Sequence, residues 1–260
     1  MGKRGRYSGF FHNKSGQVTI FIIIAVVIVA IGIAVYFLYP EISSTLGGEQ
    51  DPNAFIQSCM EDEIISNVEL VSSQGGSLEP EFYLEYNGLP VEYLCYTKDD
   101  KAPCIIQQPF LGQHIESEIK TGIEPAVKNC FNDMVSSFES RGYDVTMREG
   151  DVNIELLPQR IISTFNYTVT LSKTDTKRYE SFVVVINNNL YELIGIARSI
   201  INLERSSGDA DPRFYLSLYP DLKTERKVAS NQTKIYTITD EKTEKGFSFA
   251  TRSYTFPIWY

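Results

Sequence analysis

From Val18 to Tyr39 the chain runs VTIFIIIAVVIVAIGIAVYFLY, with no charged residue and only Thr19 and Gly32 interrupting the aliphatic and aromatic side chains. At about 1.5 Å of rise per residue, a helix of this length crosses the roughly 30 Å hydrocarbon core of a bilayer. No face of it is polar, so it does not read as the amphipathic helix of a water-soluble core. The apolar region of a secretory signal is shorter, about 7–15 residues, and ends in small residues. This run ends in Tyr36, Phe37 and Tyr39, which suit the membrane–water interface. The expectation is a retained single-pass transmembrane helix over 18–39, with the lipid bilayer as its partner.

Charge orients the span. Lys3, Arg4, Arg6 and Lys14 precede it, and no acid occurs before Glu41. Positive flanks stay on the cytoplasmic side, which puts the N-terminus inside and the C-terminal bulk outside the cell membrane. Beyond residue 40 the chain carries 33 acidic residues against 20 basic ones. A domain so acidic repels phosphate backbones, which excludes nucleic acid as a partner class.

The four cysteines, Cys59, Cys95, Cys104 and Cys130, all fall beyond the span. An even number in an exported domain points to disulfides. Three pairings are open. Cys95 and Cys104 flank the turn-like TKDDKAP and suit a hairpin staple, which leaves Cys59 with Cys130; this pairing is favoured. Zinc is a poor alternative, because no C-x-x-C occurs and His114 is the sole histidine beyond the span.

The chain divides into a basic leader (1–17), the span (18–39), a stalk (40–52) and an extracytoplasmic domain (53–260), with a candidate inner border near Gly142. Pro40 and the Gly47–Gly48 pair mark the stalk as flexible. Asp51–Pro52 reads as an N-cap and first-turn proline. Phe55, Ile56, Cys59, Met60, Ile64, Val68 and Val71 then recur at helical spacing up to Gln74–Gly75–Gly76. Asn87–Gly88 predicts a hairpin within 81–96, opposed by Pro90. A second helix is expected over 112–140, with Pro125 as a kink or break. From Tyr143 the period becomes two, and DVTMREG, DVNIELL, RIISTFNYTVTLSK and KRYESFVVVINN read as four strands of an antiparallel meander. A third helix follows over 189–205, with Leu190, Leu193, Ile194, Ala197, Ile200, Ile201 and Leu203 inward. SSGDADP is a loop, and the end forms a terminal hairpin. The fold class expected is α+β, helices packed on an antiparallel meander.

The segment KSGQVTIF resembles the archaeal pilin-type leaders, or class III signal segments. The resemblance implies cleavage between Gly16 and Gln17 by a prepilin peptidase, with the apolar helix kept on the mature protein. Phe21 stands where that pattern carries glutamate. With Pro40 and Gly47–Gly48 interrupting a continuous spine, a free-standing anchor is favoured over a filament subunit. Together with Cys59–Met60–Glu61 and Gln74–Gly75–Gly76, the whole chain resembles archaeal single-pass membrane proteins, a likeness that implies an address and no activity.

Chemistry-bearing motifs are sparse. There is no G-x-S-x-G and no phosphate loop, and His114 has the look of a surface or cap residue. Glu61, Asp62 and Glu63 share one helical turn and read as a solvated face. Asp209 and Asp211 are two oxygen ligands, too few for calcium. Asn166 (NYT) and Asn231 (NQT) are candidate glycosylation sequons. No catalytic residue, cofactor or metal is assigned. The function expected is a membrane-anchored cell-surface protein, not an enzyme, whose disulfide-stapled domain serves binding or envelope structure through a protein partner or a homo-oligomer. The alternatives are a pilin-like subunit and an exported hydrolase.

Overall fold

Asp51 and Pro52 start the first helix as the sequence predicts. The Asp51 carboxylate accepts from the Asn53 N–H at 3.2 Å, and Pro52 fills the first turn, where its missing donor costs nothing. The computed structural model describes residues 26–29, 51–229 and 231–254. It divides into two units, Met1–Gln50 and Asp51–Tyr260. In the first, residues 26–29 are helical and exposed. Among the described residues no helix is long and apolar enough to cross a membrane. The leader, the expected span apart from 26–29, the stalk up to Gln50 and the Gly16–Gln17 cleavage site lie outside the described residues.

The second unit is α+β. Helix α1 (Pro52–Ser73) buries Ile56, Met60, Ile64, Val68 and Val71; Phe55 and Cys59 are only partly covered. Its end closes with the Gly76 N–H on the Val71 carbonyl at 2.9 Å. Helix α2 (Leu111–Ser140) presents Ile115, Ile119, Ile123, Val127, Cys130, Met134 and Phe138 to the same core, all at most 2% exposed. Pro125 lies inside this helix without splitting it. The two helices pack together and are bridged by Cys59–Cys130 across 6.1 Å between Cα atoms.

Strands β1 (Tyr83–Tyr86) and β2 (Leu89–Tyr96) form the expected hairpin, with Asn87 and Gly88 both at positive φ, as a type I′ turn demands. Pro90 is accommodated opposite Glu85 in the outer pair. β3 (Ile105–Ile106) returns antiparallel to β2, closed by Cys95–Cys104.

The region from residue 144 to 187 departs from the expected four-stranded meander. Six strands occur: β4 (Asp144–Arg148), β5 (Val152–Leu157), β6 (Arg160–Phe165), β7 (Thr168–Ser172), β8 (Thr176–Tyr179) and β9 (Phe182–Asn187). β5 and β9 flank β6, while β4 and β8 flank β7. Glu149–Gly150–Asp151 is therefore no reversal. β4 continues into β5, β6 into β7 and β8 into β9, so the unit is three long antiparallel strands creased across the middle. Burial alternates without a break through the crease, with Ile161, Ser163, Phe165, Tyr167, Val169 and Leu171 all inward. A period of two survives bending, which is why the pattern alone hides it.

Gly150 makes the crease. A Cβ added there would lie 1.9 Å from the Asn166 carbonyl oxygen, which is backbone and cannot swing away. Next to it the Asn166 N–H donates to the Asp151 carbonyl at 2.9 Å. Gly150→Ala is expected to cost about 3 kcal/mol, as overpacking against fixed atoms does. Gly112→Ala, on α2 with nothing within 4 Å, serves as the control and should be neutral or slightly stabilising. Urea midpoints of the two variants check this; equal midpoints would mean the crease does not need the glycine.

After β9 come α3 (Leu190–Ser207), α4 (Pro212–Leu218), β10 (Leu222–Val228), β11 (Thr233–Asp240) and β12 (Gly246–Arg252). The second sheet runs β1-β2-β12-β11-β10. Its β12–β2 pairing is parallel and joins residues more than 150 positions apart, a contact no local pattern announces. α1 touches β12 on one side and β9 on the other, and α3 likewise touches β11 and β12 on one side and β5 on the other. Helices α1 and α3 thus lie between the two sheet systems, while α2 packs on the creased meander through β4 and β5. One contiguous core runs from Ile56 to Phe249, on both sides of Gly142.

Candidate functional site

Helix α3 is amphipathic in the expected register with one exchange. Leu190, Leu193, Ile194, Ala197, Ile200 and Ile201 are inward, but Leu203 is 37% exposed and Glu204 is fully buried. The next core position on the helical stripe is 204, and it holds a carboxylate. Glu204 receives Lys234 Nζ on both oxygens, at 2.9 and 3.0 Å, and the Tyr236 hydroxyl on Oε1. Lys234 also donates to the Gly208 carbonyl and lies 3.2 Å from Asp209 Oδ1. Arg226 donates to Asp209 and, at 3.0 Å, to the Ala210 carbonyl. The Ser253 hydroxyl donates to the Glu204 carbonyl at 2.8 Å and accepts from the Cys104 N–H at 3.0 Å, linking the network to the Cys95–Cys104 staple.

Burial pushes the Glu204 carboxyl up, and the hydrogen bond from Tyr236 and the charge of Lys234 only partly offset it. Burial and the neighbouring Glu204 charge also raise the Tyr236 phenol. At Asp209 burial is outweighed by hydrogen bonds from Lys234 and Arg226, which hold the carboxyl below its ordinary range. The network leaves these groups committed to one another, so its role is placement. It fixes the loop 208–211 between Gly208, the left-handed C-cap of α3, and Asp211, the N-cap of α4.

That loop lays α4 against the outer side of α3, where the Ser199 and Tyr215 hydroxyls meet at 2.9 Å. Between the helices lies an open groove of about 940 Å³ lined by Arg198, Asn202, Leu203, Arg205 and Phe214. Of the two acids on α3, Glu204 is buried, and Glu192 is half-buried in the first turn, where it accepts from the Gln159 N–H at 3.1 Å. Among the described residues neither Arg198 nor Arg205 has a carboxylate at salt-bridge distance. The groove offers guanidinium donors beside apolar side chains, the chemistry of an anion-binding, partly apolar contact. The sequence held a signal for it: positions 198, 202 and 205 fall on one stripe of a helix already predicted. α4 itself was invisible, because seven residues are too few to show a period.

The other predicted residues scatter. Cys59 pairs with Cys130 and Cys95 with Cys104, leaving no free cysteine. Asn166 is exposed at the crease, and Asn231 is exposed in the β10–β11 turn at positive φ. Glu61, Asp62 and Glu63 are exposed on α1. Asp209 and Asp211 do not converge: the first binds Arg226 and Lys234, the second caps α4 and pairs with Arg213 at 2.7 Å. Hydrogen bonds from Arg213 hold the Asp211 carboxyl down at about 2.

His114 does more than cap. Its Nε2 is 2.8 Å from the Ser77 hydroxyl, which lies 2.5 Å from Glu92 Oε2. Three residues from three segments meet there, beyond the reach of sequence spacing. A hydroxyl has one proton to give. Donated to Glu92, it leaves Ser77 to accept from His114, the reverse of what nucleophile activation needs. Gln108 donates to the other Glu92 oxygen at 3.2 Å, and Glu118 accepts from the Leu78 N–H at 2.8 Å. The cluster works as a strut between the end of α1, β2 and the start of α2.

Comparison with known protein families, with curated proteins and with solved structures finds no match to this chain.

Proposed function

We propose that this chain is a membrane-anchored cell-surface protein whose α+β domain acts by binding, through the groove between α3 and α4. Residues 18–39 hold the lipid bilayer in this reading, with the basic leader inside and everything beyond residue 40 outside. The pairing of all four cysteines is the observation that carries it, because disulfides persist where the environment is oxidising. The mature chain begins at Gln17 if the leader is trimmed, and the anchor survives that cut.

Membranes from cells expressing the full chain should keep it through alkaline extraction and release it in detergent. Protease added to intact cells should remove the domain and spare the leader. Recovery in the alkaline supernatant, or protection of the domain from external protease, would overturn the proposal.

A further inference from the structure

Helix α4 turns its apolar side chains away from the core. Of its seven residues only Tyr215 is buried, whereas Phe214, Leu216 and Leu218 are 55%, 44% and 56% exposed. Tyr219 follows them, also exposed. A helix on a soluble domain normally directs such residues inward, and large exposed apolar residues in one place mark a contact surface. Phe214 and Leu218 are four positions apart and so share one side of the helix.

Beside this apolar ridge stand Arg198 and Arg205, neither with a carboxylate at salt-bridge distance among the described residues; the α3 acids are the buried Glu204 and Glu192 of the first turn. The segment beyond residue 40 has 33 acidic and 20 basic residues, so this is a local reversal of the domain's charge. An occupant must therefore be anionic where it meets α3 and apolar where it meets α4. A bilayer rich in anionic headgroups has both layers in that order: phosphates outside, acyl chains beneath.

Chain length makes that surface the accessible one. Residues 40–50 alone separate the apolar run from Asp51. Fully extended at about 3.5 Å per residue, they reach under about 40 Å. An anchor over 18–39 would keep the domain within that reach of the bilayer, where even a weak surface affinity becomes effective. An acidic peptide would match the arginines but has no such enforced proximity.

We infer that the α3–α4 surface docks on the anionic face of the bilayer to which the chain is anchored, with Arg198 and Arg205 on headgroup phosphates and Phe214 and Leu218 at the acyl boundary. This rests on the anchor proposed above. Docking would fix how the domain stands on the membrane and which of its other faces remain free.

The test uses the full chain reconstituted into vesicles of phosphatidylcholine, with and without phosphatidylglycerol, and reads amide hydrogen exchange over 212–219. Exchange there should slow only when phosphatidylglycerol is present. Arg198→Gln and Arg205→Gln should each lower the docking equilibrium constant about fivefold, and the double variant about 30-fold, at about 1 kcal/mol per cation near an anionic surface. Phe214→Ser with Leu218→Ser should abolish the effect while α2 keeps its protection, which distinguishes lost docking from lost folding. Equal protection without phosphatidylglycerol, no protection in either vesicle, or protection that grows with protein density and so reports a second copy, would each overturn the inference. Alkaline washing of the same vesicles tests the anchor separately. If the chain washes off, its flotation with phosphatidylglycerol vesicles against phosphatidylcholine vesicles still decides the surface.

Discussion

Replacing Lys234 with methionine should lower the unfolding free energy by about 3–5 kcal/mol at neutral pH, the usual cost of stranding one partner of a buried ion pair. Lys234 is 5% exposed and Glu204 not at all. The variant keeps the length of the side chain but leaves the Glu204 carboxylate with the Tyr236 hydroxyl as its remaining side-chain donor. It also removes a donor from the Gly208 carbonyl, so the loop under α4 loosens with it. The sign of the pH dependence follows from the raised Glu204 pKa. With the lysine gone, the folded-state pKa rises further above the unfolded value. The penalty is then fully present above the folded pKa and fades as pH falls toward the unfolded one, because a neutral carboxyl is cheap to bury. Urea titrations at neutral and mildly acidic pH should show the gap to the native chain closing on acidification. Replacing the whole network at once, with Glu204→Leu, Lys234→Met and Tyr236→Phe, should recover most of the loss. A single Lys234→Met variant as stable as the native chain at neutral pH would show that the pair is not buried as described.

The two disulfides should differ in worth by the length of chain they close. Cys59–Cys130 spans 71 positions and Cys95–Cys104 spans nine. Loop entropy in the unfolded state predicts about 4 kcal/mol for the first and about 3 kcal/mol for the second. Double replacement of Cys59 and Cys130 by serine should therefore lower the denaturation midpoint more than replacement of Cys95 and Cys104. Peptide mapping without reductant should recover the same two pairs from exported protein. Four free thiols there would remove the oxidising address as well as the stability. The long bridge also joins α1 to α2 directly, so its loss should loosen the helix pair on which the creased meander rests.

Local periodicity carried far. The expected inward positions of α2, and those of α1 apart from Phe55 and Cys59, were legible in the pattern, because a helix that buries one stripe must repeat it every three or four positions. The Asn87–Gly88 turn was legible because few residues accept positive φ twice in succession. The crease was not, since Ile161 to Leu171 alternate identically whether the strand is straight or bent. Leu203 is misplaced in the core for a related reason. Leu203 looks like the core residue, and only the arrival of Lys234 from β11 makes a carboxylate tolerable at the next position.

The groove shows the same division. Arg198, Asn202 and Arg205 lie on one stripe in any helical drawing of 190–207, but a basic stripe is ordinarily a solvated face. What singles it out is α4, and α4 is held there by side chains drawn from four separate segments of the chain.

The sequence by itself determined the apolar run, the basic residues that precede it, the α+β class, the helix faces and the hairpin turn, because each depends on neighbours within a few positions. Tertiary structure alone decided the crease, the parallel β2–β12 pairing, the buried Glu204–Lys234 network and the exposed ridge of α4. These depend on residues far apart in the chain, and their energies, burial of charge and clash or contact of backbone, exist only once the chain has closed on itself.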